Sequence, residues 1–287
     1  MLVSFYTDFT FVTHKRFNPI EIFKTIEKEK VTLLELVPTM IIRILNNIEE
    51  AKKYDLSSLN TILYGAAPIH SENLKKAMKT FKDLGLDINW IQTFGATETA
   101  VPVTTLSSED HRKIIYNGEE YLAMSAGKPI QGTEIKILDE NGNELPPGKI
   151  GEIWVKGPGI MKGYWKKDDK TKEVIRDGWY NMGDMGYLDE NGYLYIMDRS
   201  KDMIVSGGEN IYSKEVENAI YQHPGVNMCA VIGIPDEHWG EIVCAIIVPN
   251  KEYKGKLTEE EIKKHCEKYI AKYKKPKKVI FRDSLTV

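Results

Sequence analysis

Segments with strand patterns and helix patterns alternate along the chain as far as Phe94. Asn18-Pro19 followed by an apolar stripe predicts a helix over 19–30. Pro38 and Ser71 mark the starts of two more helices. Three short runs rich in strand formers separate the helices, at 31–37, 59–64 and 88–94. This alternation predicts a parallel or mixed sheet covered by helices, with ligands beyond the carboxyl ends of its strands.

The pattern changes twice after the predicted sheet. From about residue 121, short strands separated by Asp-Glu-Asn-Gly and Pro-Pro-Gly turns predict a β-rich region that lacks helical periodicity until Ser213. Beyond Ser213, a helix, two strands and a second helix, which is capped by Thr258 and expected to end at about Ala271, predict a compact α+β unit. The charged segment 198–210, which contains Gly207-Gly208, lies between these regions. It fits either a surface turn or a joint between two units.

Composition excludes several classes of protein and site. The three cysteines are odd in number and show no CxxC spacing, which argues against a disulfide framework or a zinc site and favours a reducing, cytoplasmic setting. No apolar run approaches about 20 residues, the length of a membrane span. A net charge of -3 gives no overall attraction for nucleic acid. The lysine-rich segment 251–282 fits a solvated surface or a patch for a phosphorylated ligand.

Two strand ends carry groups that suit a nucleotide. Gln92-Thr-Phe-Gly-Ala-Thr-Glu98 offers an aromatic ring for a base, a hydroxyl for phosphate and a carboxylate for Mg²⁺. Gly65-Ala-Ala-Pro68 could let a flat ring lie against the backbone. The competing interpretations are structural, since Thr97 and Glu98 could simply begin a helix and Gly65 could simply turn a corner.

A series of motifs in a fixed order resembles the adenylate-forming superfamily, which includes the acyl- and aryl-CoA synthetases. The resemblance runs from about Phe17 to the end of the chain. The motifs are Val37-Pro-Thr39, Gly65-Ala-Ala-Pro68, Phe94-Gly-Ala-Thr-Glu98, Gly151-Glu-Ile to Gly163-Tyr, Tyr180 to Asp184, Arg199 with Lys201 to Asn210, and Trp239.

This resemblance implies a fold class of α/β and α+β and a two-step reaction. Residues 1–199 would be the C-terminal portion of a large AMP-binding domain, a sheet with flanking helices plus a small β-barrel over about 121–199. Residues 200–287 would be a small mobile domain. A carboxylic acid, fatty or aryl, would react with ATP and Mg²⁺ to give an acyl-adenylate, and coenzyme A would then displace AMP. Trp90, Ile91, Ala96 and Val101 would give the acid an apolar pocket.

The resemblance also assigns roles in the first step. The adenine would lie among Gly65, Ala66, Ala67 and Phe94. Thr97 would bind the α-phosphate, and Glu98 would hold Mg²⁺. Asp184 would accept hydrogen bonds from both ribose hydroxyls, with Arg199 supporting the same sugar.

For the second step, Gly207 and Gly208 would line the path of the thiol arm, and Lys201 would be the hinge between the domains. Trp239 would stack on the adenine of coenzyme A, although a tryptophan beside Gly240 could equally be a packing residue. The remaining contacts to coenzyme A would come from Tyr273, Lys275 and Lys277.

Two family features have no counterpart here. Nothing in residues 1–64 resembles the Ser/Thr/Gly-rich phosphate loop, and the catalytic lysine expected beyond Asp283–Val287 is absent. The sequence thus predicts a carboxyl-terminal portion of a synthetase with little or no adenylation of its own. A non-catalytic nucleotide-binding or assembly module is the alternative. Self-association into a homo-oligomer stays open, because apolar sheet surface would be exposed.

Overall fold

The computed structural model describes residues 9–67, 69–100 and 102–285. Pro68 of the first glycine motif, Val101 of the expected acid pocket and the last two residues of the 283–287 segment lie outside the described residues. Within the described ranges the strands form three sheets, which follow one another along the chain.

The first sheet contains the predicted alternation of strands and helices. Its strands lie in the order β1-β2-β3-β4-β5, with β1, β2 and β3 parallel and the last two antiparallel. The strands are β1 (Leu33–Leu36), β2 (Thr61–Gly65), β3 (Asn89–Phe94), β4 (Thr104–Leu106) and β5 (Lys128–Pro129). The expectation of a mixed sheet is confirmed.

Helices cover this sheet and bury their apolar faces against it. They are α1 (Pro19–Glu29), α2 (Pro38–Leu45), α3 (Ile48–Ala51), α4 (Ser71–Asp83) and α5 (Ser108–Arg112). Asn18 caps α1 as expected, because its Oδ1 accepts hydrogen bonds from the N–H groups of Ile20 and Glu21. Ser71 is the first residue of α4 and its cap position is occupied by His70. A π-helical turn, Lys113–Asn117, and a 3₁₀ helix, Glu120–Met124, follow α5.

The second sheet is antiparallel and corresponds to the predicted β-rich region. Its order is β10-β9-β7-β6, with β8 paired to β9. The strands are β6 (Glu134–Leu138), β7 (Gly151–Lys156), β8 (Ile175–Arg176), β9 (Trp179–Leu188) and β10 (Leu194–Arg199). The sequence from about residue 121 to Ser213 shows no helical periodicity, yet it contains the helix α6 (Asp168–Val174), which has no buried residue and therefore no apolar stripe to reveal it.

The third sheet has its own core. Its order is β12-β11-β14-β13, with β15 parallel to β14. The elements are β11 (Ile204–Ser206), β12 (Glu209–Ile211), α7 (Ser213–Tyr221), β13 (Val226–Asp236), β14 (Gly240–Pro249), the 3₁₀ helix Lys251–Tyr253, α8 (Glu259–Cys266) and β15 (Lys278–Phe281). Its buried residues, such as Val216, Ala245 and Ile262, cluster apart from those of the first two sheets.

Helix α7 contacts the loop that follows β2. The ring of His70 lies 3.8 Å from that of Tyr221, centroid to centroid, and His70 Nδ1 is 3.0 Å from Asn218 Oδ1. Since His70 belongs to the first region and α7 to the third, these contacts join the two regions beside the first glycine motif.

The sequence argued against a disulfide framework and against a membrane span, and the structure provides an observation on each. Cys229, Cys244 and Cys266 are free and buried, and burial raises the pKa of the Cys266 thiol to about 11. Among the described residues, no helix combines the length and apolar character needed to cross a bilayer.

His111 makes the fold sensitive to acid. The ring is 1% exposed, and its nitrogens lie 2.7 Å from the Ser107 carbonyl oxygen and 2.8 Å from the Tyr64 hydroxyl. Burial lowers the pKa of His111 from 6.5 to about 4, although the Ser107 hydrogen bond and Asp110 oppose that change. Between pH 6.5 and 4 the unfolded chain therefore binds this proton and the folded chain does not. Stability falls as the pH drops through that window.

We expect the ionisation of His111 to remove about 2 kcal/mol from the free energy of unfolding at pH 5 relative to pH 7. Urea unfolding of wild type and His111→Gln at both values tests this. The variant is expected to be less stable at pH 7 but to lose about 2 kcal/mol less on acidification. Equal losses in the two proteins would show that His111 does not carry the acid sensitivity.

Candidate functional site

Two predicted motifs meet at the carboxyl edge of the first sheet. Gly65 ends β2 and pairs with Thr93, next to Phe94 at the end of β3. A Cβ on Gly65 would lie 2.5 Å from the backbone oxygen of Thr93 and 2.7 Å from its Oγ1. Only glycine lets the strands approach this closely, so the two loops that leave them start side by side.

The loop after β2 presents backbone to solvent. Ala66 has φ 64°, which is uncommon for a residue with a Cβ, and both Ala66 and Ala67 are exposed. Phe94 is half-buried, with part of its ring packed against the core of the second sheet. The edge therefore offers accessible small-residue backbone beside a partly accessible aromatic ring.

Thr97 and Glu98 lie in a single 3₁₀ turn, Thr97–Thr99. Thr97 is exposed, and the Ala96 N–H donates a hydrogen bond to Thr99 Oγ1 at 3.1 Å, which fixes the turn. The alternative interpretation was that Thr97 and Glu98 simply begin a helix, and the structure shows only this single 3₁₀ turn. The turn holds the Thr97 hydroxyl at the same edge as Ala66 and Ala67.

Glu98 is bound by a tyrosine from the second sheet region. The Tyr164 hydroxyl donates to Glu98 Oε1 at 2.8 Å, and the Met161 N–H donates to the Glu98 carbonyl oxygen at 2.7 Å. This hydrogen bond to Glu98 raises the pKa of Tyr164, and burial is the main cause of the raised pKa of Tyr180 nearby. The carboxylate is therefore held in place by the segment that follows β7.

The donor set fits Mg²⁺ in one limited way. Glu98 is a hard oxygen ligand, but within the described ranges no group of three or more His, Cys, Asp or Glu could hold a metal ion. Mg²⁺ commonly keeps several waters and takes one or two carboxylates together with substrate phosphates. The residues present thus suit an ion that arrives with a nucleotide.

Asp184 and Arg199 face each other across β9 and β10. Arg199 Nε lies 3.8 Å from Asp184 Oδ1, and the Asp184 side chain is 13% exposed whereas that of Arg199 is 76% exposed. Burial raises the pKa of Asp184, while Arg199 and Lys214 act in the opposite direction. Asp184 is therefore a mostly buried carboxylate that forms an ion pair with an exposed arginine.

The predicted joint begins at a buried anchor. Asp198 is 4% exposed and accepts hydrogen bonds from the Arg199 N–H at 2.8 Å and the Ser213 N–H at 2.6 Å. Lys201 lies in the exposed turn that follows β10. Asp198 thus ties the start of α7 to the end of β10, and the chain between them forms the β11–β12 hairpin of the third sheet.

Three residues predicted to contact coenzyme A meet in the third sheet. Gly207 has φ 63°, and a Cβ there would lie 2.6 Å from Trp239 Cε3. The Gly207 N–H donates to the Trp239 carbonyl oxygen at 2.8 Å, and Lys277 Nζ lies 3.7 Å from the centroid of the Trp239 ring. Trp239 is 52% exposed, so its contacts with Gly207 and Lys277 leave about half of the residue accessible and it is more than a packing residue.

The other predicted contacts are less closely associated. Gly208 has φ 85° and open space where a Cβ would stand. Lys275 forms an ion pair with Glu267, and Tyr273 is exposed with Lys274 Nζ 5.7 Å from its ring centroid. Lys277 therefore contacts Trp239, whereas Lys275 is paired with Glu267 instead.

Sequence reasoning missed the contacts that Tyr164 and His70 make. Tyr164 lies in the Gly163-Tyr motif, but its partner Glu98 is 66 residues away. His70 lies two residues after the first glycine motif, but its partner Asn218 is 148 residues away. Motif membership was the available signal, and neither partner could be read from local pattern. Trp90, expected in the acid pocket, instead packs edge-on against Phe81 in the core.

Known proteins share this arrangement. Residues 1–165 match the family model of the AMP-binding enzyme, and residues 215–286 match that of the AMP-binding enzyme C-terminal domain. A feruloyl-CoA synthase of Amycolatopsis is 40% identical over 276 residues, 96% of this chain and 53% of the relative. A 2-succinylbenzoate–CoA ligase of Bacillus licheniformis is 38% identical with the same coverage.

Solved structures agree with these relatives. The o-succinylbenzoate CoA synthetase of Bacillus subtilis in complex with its acyl-adenylate is 34% identical, with a TM-score of 0.81, over 99% of this chain and 54% of that chain. An amide bond synthetase of Marinactinospora thermotolerans is 31% identical, with a TM-score of 0.86, over 96% of this chain and 52% of that one. The chain thus spans about half the length of the relatives that it matches. The fold class predicted from sequence is confirmed, and the chain belongs to the AMP-binding enzyme family.

Proposed function

We propose that the protein is an ATP-dependent ligase that joins a carboxylic acid to coenzyme A. In the first step a carboxylate oxygen attacks the α-phosphorus of ATP, a new P–O bond forms, and pyrophosphate leaves. In the second step the thiol sulfur attacks the acyl carbon, AMP leaves, and the thiol proton passes to solvent. The observation that carries this proposal is the edge where exposed Thr97 adjoins the fixed carboxylate of Glu98.

The nucleotide would lie along that edge. The exposed backbone of Ala66 and Ala67, next to Gly65, and the half-buried ring of Phe94 suit an adenine. The Thr97 hydroxyl would donate to an α-phosphate oxygen, where charge grows during attack. The confined carboxylate of Asp184 suits two adjacent ribose hydroxyls, with Arg199 beside it.

Glu98 would be the protein ligand of Mg²⁺. The ion would supply charge neutralisation at the phosphates. Tyr164 would act on Glu98 as a positioning residue, because its hydroxyl occupies Oε1 and leaves the other oxygen to turn toward the ligand. Tyr180 lies close enough to interact with both Glu98 and Tyr164, and burial raises the pKa of its hydroxyl, so it would stay protonated beside the carboxylate.

The thioester step would use the third sheet. Gly207 and Gly208 present backbone with no side chain, which suits a narrow thiol arm. Trp239 and Lys277, already stacked on each other, offer an aromatic face and a cation to the adenine and phosphates of coenzyme A. Tyr273 would add a contact from its exposed ring, whereas Lys275 would do so only after leaving Glu267.

Lys201 would be the hinge between residues 1–199 and 200–287. Its exposed turn follows directly on the Asp198 anchor, and hinge positions absorb large φ/ψ changes without needing to be small residues. The contact between His70 and α7 is one that such a movement would have to break.

The acid is proposed only as a class. The names of the relatives refer to a feruloyl group, 2-succinylbenzoate and medium or long-chain fatty acids. Each of these acids carries a carboxylate on a largely apolar body, and 2-succinylbenzoate carries a second one. Ile91 and Ala96, on and just beyond β3, are partly buried and suit such a body.

A test of the thioester step bypasses ATP. Synthetic feruloyl-adenylate and coenzyme A are mixed with the 287-residue chain, and feruloyl-CoA is followed by its absorbance. We expect the chain to accelerate thioester formation above the uncatalysed rate. Lys277→Glu is expected to raise the KM for coenzyme A about tenfold, because a cation beside the phosphates becomes an anion.

The matched control is Lys264→Glu, an exposed lysine of α8 with the same change in charge. It is expected to leave the KM for coenzyme A unchanged. A chain that binds AMP but gives no acceleration would support the non-catalytic module and overturn the ligase proposal. Faster transfer to an added amine than to coenzyme A would assign a different acceptor.

A further inference from the structure

A cleft of about 350 Å³ opens at the end of β3 opposite the nucleotide edge. Trp90 lies at its floor, four residues before Phe94, which places the two about 13 Å apart along the strand. Leu86, from the turn after α4, and Ile115 and Tyr116, from the π-helical turn after α5, complete the apolar walls. The volume falls within the range of small-molecule sites.

The floor of the cleft is well packed, and its mouth is open to solvent. Trp90 is 3% exposed and packs edge-on against Phe81 and Tyr64, at centroid distances of 5.6 and 6.2 Å. Tyr116 lines the cleft, and 61% of this large aromatic residue is exposed to solvent. It belongs to a π-helical turn, a rare conformation that recurs at functional sites.

Two cations line the mouth without a carboxylate partner. Lys82 Nζ lies 4.5 Å from the Tyr116 ring centroid, and Arg112 Nη2 donates to the neutral amide of Asn89 at 3.1 Å. In the described part of the chain neither forms an ion pair. Asp87 also lines the cleft, so its formal charge is about +1 with His111 neutral.

Three neighbouring cations near the cleft are paired with carboxylates. Lys75 pairs with Glu72 and Glu120, and Lys79 pairs with Asp83. Lys113 pairs with Asp110 at 3.2 Å. Lys82 and Arg112 are therefore the two cations of the cleft that no carboxylate neutralises. Lys76 of α4 is also without an ion pair in the described structure, but it does not line the cleft.

We propose that this cleft binds a small amphipathic carboxylate, at a site separate from the nucleotide edge. The carboxylate would bind between Lys82 and Arg112, whose planar guanidinium suits two carboxylate oxygens. The apolar body would lie against Leu86, Ile115 and the exposed face of Tyr116. The net charge of about +1 and the apolar floor favour a ligand with a single negative charge. A nucleotide carries more negative charge than the two cations of the cleft could neutralise. The proposal does not depend on the ligase activity.

The test uses 4-phenylbutyrate as the probe and the indole N–H signals of the full chain in nitrogen-15 NMR spectra, assigned by single Trp→Phe variants. We expect the Trp90 signal to shift saturably below about 10 mM probe. The neutral analogue 4-phenylbutan-1-ol is expected to bind about tenfold more weakly, because it lacks the charge. Saturating AMP is expected to leave the affinity unchanged.

Paired variants locate the charge contacts. Lys82→Gln with Arg112→Gln is expected to weaken probe binding about tenfold, and the unshifted indole spectrum confirms that this surface double variant is folded. Lys75→Gln with Lys79→Gln removes the same charge from the same region and is expected to have no effect. Absence of a saturable shift at Trp90, equal affinity in the cleft variant, or competition by AMP would each overturn the proposal.

Discussion

Replacing Asp184 with alanine is expected to weaken AMP binding about a hundredfold, as measured by calorimetry. In the proposed complex the carboxylate accepts hydrogen bonds from two ribose hydroxyls, and two bonds to a charged acceptor contribute about 3 kcal/mol together. The side chain is mostly buried, so water replaces those bonds poorly when the carboxylate is removed.

Two variants separate this effect from general changes in charge and fold. Asp202→Ala removes an exposed carboxylate that acts on Asp184 through space, and it is expected to change AMP affinity by less than about twofold. Asp184→Asn keeps the shape of the side chain. Because burial raises the pKa of Asp184, its charged form is disfavoured by folding, and the Asn variant is expected to be at least as stable as wild type at pH 7. Wild-type AMP affinity in Asp184→Ala would remove Asp184 from the site.

Replacing Gly65 with alanine is expected to cost about 3 kcal/mol of the free energy of unfolding. The added Cβ would lie 2.5 Å from the Thr93 backbone oxygen, which cannot move without separating β2 from β3. The same displacement would shift Phe94 and Thr97, so AMP binding is expected to fall as well. Urea unfolding and calorimetry measure the two effects.

A double variant tests whether backbone or side chain causes the clash. Thr93→Ala removes Oγ1, 2.7 Å from the added Cβ, but leaves the backbone oxygen in place. In the Gly65→Ala background it is expected to restore less than half of the lost stability. Gly142→Ala, at a left-handed position in open space, is the control and is expected to cost about 1 kcal/mol. Full rescue by Thr93→Ala would show that the close approach of the backbones is not the constraint.

The parts of the fold that could be predicted were those with strong local signals. Asn18-Pro19 and the apolar runs located α1 and the parallel strands, because capping and periodicity are written into neighbouring residues. Helix α6 was missed since an exposed helix needs no apolar stripe. The end of α8 was also mispredicted. The helix was expected to reach about Ala271 but ends at Cys266, the last residue of its buried face.

The candidate site divides in the same way. Motif order identified Gly65, Thr97, Glu98 and Asp184, and the first three lie at one edge of the sheet. The tyrosine that holds Glu98 and the tryptophan that packs on Gly207 depend on distant pairings that no local pattern specifies. The roles of the predicted ligand-binding residues and the boundary at 199/200 stay predictions.

The position of AMP in a co-crystal with the 287-residue chain tests the central claim most directly. We predict adenine against Ala66, Ala67 and Phe94, the ribose hydroxyls on Asp184, and the phosphate near the Thr97 hydroxyl. AMP bound elsewhere, or ordered at this edge without contact to Asp184 or Thr97, would contradict the proposed nucleotide site.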